Sequence, residues 1–64
     1  MKVREVIKRI EADGWYRVRS NSGHRQFEHA IKTGRVTVSG QANVDVPIKT
    51  LKSIWKQAGM LEEE

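Results

Sequence analysis

The chain has 64 residues, twelve Lys/Arg against eight Asp/Glu, a net charge of +4 and no cysteine. So short a chain buries only about 60% of its unfolded surface, which excludes a roomy closed cavity and leaves one domain with its chemistry on an open surface. Without cysteine there is neither a disulfide framework nor a thiolate metal site.

The charge is unevenly placed. Glu62, Glu63 and Glu64 end the chain, and setting them aside leaves twelve basic side chains against five acidic ones, a body of +7. The sequence therefore reads as one basic domain over 1–61 with an acidic tail at 62–64. Such a domain suits nucleic acid or an acidic protein as partner. The charged N-terminus lacks the apolar run of a signal peptide. No stretch approaches the roughly 18 apolar residues of a membrane helix. A cytoplasmic protein that meets no membrane is the expectation.

Val3, Val6, Ile7 and Ile10 form an apolar stripe that predicts a helix over 3–13. Gly14 follows it at the position where helices reverse. Trp15 to Arg19, aromatic and β-branched, predicts a strand. Asn21-Ser22-Gly23 predicts a turn. His24 to His29 predicts a second strand, with Phe27 its one strongly apolar member. After a connection over 30–34, Arg35 to Ser39 alternates as a third strand. A loop over 40–46 leads to Pro47, which suits a first helical turn. Ile48, Leu51, Ile54, Trp55 and Ala58 form the second helical stripe, and Gly59 closes it. Asp45 near its start and Lys52 and Lys56 toward its end complement the helix dipole. The fold class is α+β in the order α-β-β-β-α. A three-stranded antiparallel sheet carries both helices on one face and leaves the other face wet.

Side chains alternate along a strand. Phe27, Val36 and Val38 belong on the helix side, and Tyr16 and Val18 are expected to join them. Trp15, Arg17 and Arg19 would then share the open face with His24, Gln26 and Glu28. A four-residue loop over 20–23 would pair Arg19 with His24, Arg17 with Gln26 and Tyr16 with Phe27. Arg25 shares the parity of Phe27 and must reach past the sheet edge, because a charge is seldom buried unpaired.

A turn needs Asn21 and Gly23 but has no need of His24. An exposed imidazole moves protons near neutral pH, and guanidinium groups hold a phosphate and the charge that builds on it. His24 with Arg17 and Arg19 offers one proton-transfer group and a hold on the phosphate for cleavage of RNA, whose own 2′-hydroxyl is the nucleophile, with no metal or cofactor; the second proton-transfer group is not named by the sequence. The plainer reading is a histidine that happens to stand beside a turn. Arg17, Arg19, Arg25, Lys52 and Lys56 are the candidate RNA-binding side chains. Lys49, Lys52 and Lys56 form a ridge that either grips phosphates or is a solvated face. His29 faces away from His24 and reads as structural, and the two histidines lack the company of a metal site. Trp15 is either a stacking platform for a base or a cover for the helix ends. Trp55 belongs to the core.

Gly14-Trp15, Arg19, Gly23-His24, Phe27, Val36-Thr37-Val38 and the segment TLKSIWKQAG (Thr50 to Gly59) together resemble the HicA toxin family over nearly the whole chain. The resemblance implies a fold like the double-stranded RNA-binding domain. It implies an mRNA interferase, an endoribonuclease toxin that arrests translation, with His24 as the catalytic residue. It also implies a HicB-type antitoxin that covers that histidine. Two departures stand out. The family's Gly-Ser-His is Ser22-Gly23-His24 here. A Pro-x-His pattern that many members carry after the third strand reads Ser39-Gly40-Gln41. The rival expectation is a non-catalytic module of the same fold that binds RNA or an acidic protein.

Overall fold

Val3, Val6 and Ile10 are buried along one side of a helix, α1 (Val3–Ala12), as their spacing requires. The rest of the chain follows as β1 (Trp15–Asn21), β2 (His24–His29), β3 (Val36–Ser39) and α2 (Ile48–Gln57). This is a computed structural model that describes residues 1–21 and 24–60, with Arg19, Ser20 and Asn21 described by backbone alone. The Ser22-Gly23 turn and the acidic tail at 62–64 lie outside the described residues.

The strands form one antiparallel sheet in the order β1-β2-β3, with β2 in the centre. Both helices pack on one face. Val3, Val6 and Ile10 of α1 and Leu51, Ile54 and Trp55 of α2 join Phe27, Val36 and Val38 in a single core. The expected α+β order and layering are the observed ones.

Strand β1 departs from its expected alternation. Trp15 is 2% exposed, whereas Tyr16 and Val18 are 49% and 42% exposed. Trp15 therefore points to the helices, and Tyr16 and Val18 point away, the reverse of the expectation. The cause is the size of the side chain. An aromatic pair buries more area when the indole is the one enclosed, and the Trp15 indole N–H donates to the Ala58 carbonyl at 3.2 Å. Trp15 thus covers the end of α2 and presents no platform for a base.

The register shows how β1 accommodates this. Trp15 stands opposite His29, Tyr16 opposite Glu28 and Arg17 opposite Phe27; then Arg19 stands opposite Gln26, Ser20 opposite Arg25 and Asn21 opposite His24. Val18 is the extra residue of a β-bulge. β1 pairs as far as Asn21 and β2 from His24 onward, so the four-residue loop over 20–23 and the pairs built on it do not form. Ile48 is a second correction. It opens α2 but is 61% exposed, outside the stripe to which its spacing assigned it.

Lys2 precedes α1 with no side-chain acceptor to offer. Its own N–H donates instead to Glu5 Oε1 at 2.7 Å. The first helical N–H groups, of Val3 and Arg4, donate to the carbonyls of Val44 (2.9 Å) and Ala42 (3.0 Å). The connection after β3 therefore closes the start of α1.

A polar clamp joins the other ends of the helices. Nδ1 of His29 accepts the N–H groups of Ile31 (3.0 Å) and Lys32 (3.1 Å), so it carries no proton. Nε2 therefore donates, to the Asp13 carbonyl at 2.7 Å. Lys32 Nζ reaches Asp13 Oδ2 at 2.6 Å and the carbonyls of Ala58 (3.1 Å) and Gly59 (3.2 Å). His29 is structural, as its parity indicated.

Gly14 has a φ of +107°, and a Cβ there would lie 2.6 Å from His29 Nε2. Gly14→Ala is expected to destabilise the fold by more than about 1 kcal/mol in urea denaturation. The hydrogen bond from Lys32 holds the Asp13 carboxyl below the ordinary 3.8, against a smaller opposing effect of burial. A folded-state value below the unfolded one stabilises the fold above the unfolded value and loses that effect as pH falls through the folded value. The stability gap between wild type and Asp13→Asn should accordingly narrow from neutral pH toward acid, as followed by denaturation at a series of pH values.

Candidate active site on the open sheet face

His24 is exposed at the first position of β2, opposite Asn21 on one side and Ser39 on the other. Phe27 faces the core, and β2 has no bulge against β3. Alternation therefore puts His24, Gln26 and Glu28 on the open face, as the sequence indicated.

The candidate arginines do not assemble around His24 as a group. Arg17, opposite Phe27, lies on the helix side, with its guanidinium carbon 5.9 Å from the Phe27 ring centroid. That distance is a cation–π contact which covers the core. Its expected place on the open face is corrected by the odd register below the bulge. Arg25 donates from Nη1 to the Gly40 carbonyl at 2.6 Å. It reaches the end of β3 as its charge demanded, and it fastens β3 to β2 beside the His24–Ser39 pair. Arg19 stands opposite Gln26, above the bulge.

Lys52 and Lys56, with Lys49, are exposed on α2. That helix packs on the far face of the sheet, so their ridge and His24 belong to different sides of the molecule. None of the three lysines has an ion-pair partner among the described residues. The N-terminus of α1 offers phosphate nothing, since its first N–H groups are spent on Ala42 and Val44. Among the described residues no three His, Asp or Glu side chains cluster as metal ligands would.

Two features escaped the sequence reading. Ser39 faces His24 across the β2–β3 ladder; the residue was noted as part of a replaced motif, and only the hairpin register reveals the pairing. Arg35 bridges Gln26 and Glu28, with Nη1 to Gln26 Oε1 at 3.1 Å and Nη2 to Glu28 Oε2 at 2.7 Å. Gln41 is exposed in the connection two residues beyond Ser39, at the same end of the sheet as His24.

A family model described as the HicA toxin of bacterial toxin–antitoxin systems matches residues 3–60. The chain belongs to the HicA toxin family. A search of curated proteins finds no match. Membership supports a toxin role that involves RNA and implies an antitoxin partner. Among the described residues no helix is long and apolar enough to cross a membrane.

Within this HicA-family chain, the cations divide by what they touch. Arg25→Ala should cost about 1 kcal/mol of stability through its lost hydrogen bond. Lys52→Ala and Lys56→Ala should each stay within about 0.5 kcal/mol of wild type. Chemical denaturation of the three variants in parallel checks the division.

Proposed function

We propose that the chain is an mRNA interferase, the toxin of a type II toxin–antitoxin pair, and that His24 is its catalytic residue. The observation that carries the reading is the family match over residues 3–60, within which His24 stands exposed on an open face. The chemistry asks little of the protein. The RNA 2′-hydroxyl attacks the adjacent phosphorus, a P–O bond to the 2′-oxygen forms, and the bond to the 5′-oxygen breaks. His24 takes the proton from the 2′-hydroxyl or gives one to the leaving 5′-oxygen, and water carries the other proton transfer. This needs neither a metal nor a cofactor.

Arg19, opposite Gln26 in register, would steady the phosphate. Lys52 and Lys56 would draw other stretches of the RNA toward the molecule by their unpaired charge. Arg17 and Arg25 serve this function through the fold, by covering Phe27 and by holding the end of β3. A HicB-type antitoxin with an acidic surface would cover His24 and be attracted to the +7 body. Acting on mRNA, the toxin would work in the cytoplasm.

A second reading has one observation in its favour. Gln41 stands where the resemblance to the HicA family implies a histidine. If that histidine supplies the second proton transfer, this chain binds RNA or its antitoxin without cutting.

Induction of the wild-type chain from a tightly repressed promoter should arrest growth and degrade mRNA. His24→Ala, at equal protein level, should do neither while still binding RNA. Folded, abundant wild-type protein that leaves growth and mRNA intact would instead favour the binding module.

A further inference from the structure

The open face carries more than His24. Along β2, His24, Gln26 and Glu28 occupy alternate positions, about 7 Å from one to the next. Tyr16, half-exposed, stands opposite Glu28. Val18 at the bulge lines a shallow depression together with Gln26, Glu28 and Arg35. This row runs from His24 without interruption and brings an aromatic ring, an amide, a carboxylate and a guanidinium onto one surface.

The arrangement of the polar groups is specific. Arg35 donates to Gln26 Oε1 and to Glu28 Oε2. The amide is therefore held with its Nε2 as a donor that has no partner among the described residues. Glu28 keeps its second oxygen as an acceptor. A donor and an anionic acceptor thus share one face, and Tyr16 stands opposite Glu28 in register. A surface made to hold phosphate would turn the guanidinium outward and would not place a carboxylate at its centre. A base suits this surface better. Its flat face stacks on an aromatic ring, and its edge hydrogen-bonds to polar side chains, as in the recognition of single-stranded RNA. Guanine makes the most of it. Its neighbouring N1–H and N2–H groups both donate to a carboxylate with the strength of a charge-assisted bond, and O6 beside them accepts from an amide.

We propose that the open sheet face beyond His24 is a nucleobase-reading platform for single-stranded RNA. Tyr16 stacks a base there, and the Gln26–Glu28 pair, held by Arg35, selects guanine close to the cleaved phosphodiester. The inference rests on the reading of the chain as an RNA-directed toxin and names the determinant of its sequence preference.

The test uses the full chain carrying His24→Ala, so that binding is measured without cleavage. The probes are uridine hexamers that hold one central G, A or C, or none, read by fluorescence anisotropy. The G-containing hexamer should bind about tenfold more tightly than the others. Glu28→Gln should level that difference. Tyr16→Ala should weaken binding to every hexamer about tenfold, and Tyr16→Phe should restore it. In the cleaving chain, cut sites should be enriched near G, and Glu28→Gln should remove the enrichment. Equal affinity for all the hexamers, or indifference to both variants in folded protein, would overturn the proposal. So would a loss confined to an antitoxin complex with RNA binding untouched, because the face would then belong to a protein. The two readings fail separately. Selective binding of G by a chain that never cuts would refute the ribonuclease and keep the platform. Cleavage that depends on His24 but ignores Glu28 and Tyr16 would do the reverse.

Discussion

Burial of Trp15 against the end of α2 sets the terms for the rest of the structure. A buried indole N–H left without an acceptor is costly. That of Trp55 has no partner among the described residues, whereas that of Trp15 finds the Ala58 carbonyl, 43 residues further along the chain. The bond ties the start of the sheet to the end of the second helix. It also settles β1 from its first residue: with Trp15 turned inward, Arg17 lies opposite Phe27. At the other end of the strand, Asn21 lies opposite His24. Those two registers differ by one residue, and the bulge at Val18 absorbs the difference.

The consequence is a molecule with two sides of different chemistry. On the helix side, Arg17, Arg25 and Lys32 are bound into the architecture, while Lys49, Lys52 and Lys56 stay exposed. Arg17 lies over Phe27, Arg25 holds the Gly40 carbonyl, and Lys32 draws Asp13, Ala58 and Gly59 together. On the open side stand an imidazole, an amide, a carboxylate and a phenol, with Arg35 spent on holding two of them in place. Net positive charge attracts RNA to the whole molecule. What happens after arrival depends on the side it meets.

Much of this was legible in the sequence, and the exceptions share a cause. The helices follow from their stripes, because three- and four-residue spacing of Val, Ile and Leu has one economical solution. Phe27, Val36 and Val38 define the helix side without ambiguity, since β2 and β3 are regular and carry few apolar residues. The exposure of His24 follows from Phe27 by parity alone. In β1 parity was ambiguous. Trp15 at an odd position competes with Tyr16 and Val18 at even ones, and a bare count of two against one favours the wrong face. The indole buried more and found an acceptor that no local pattern announces. Arg17 was misplaced as a direct result. Ile48 was misjudged because a helix's first residue projects beyond the layer its stripe would join. The Arg35 bridge was invisible for a different reason: it depends on the register of a hairpin whose connection, over 30–35, carries no turn signal that fixes its length.

The bulge in β1 also governs where this chain can change length. Loss of one residue at Val18 would leave Trp15 opposite His29 and Asn21 opposite His24, with a regular ladder between them. Loss or gain of one residue elsewhere in the strand would break either the pairing of Trp15 with His29 or that of Asn21 with His24. Insertions and deletions in β1 are therefore admissible at a single point. That point is the seam between the half of the strand that pairs with Phe27 and His29 and the half that pairs with His24.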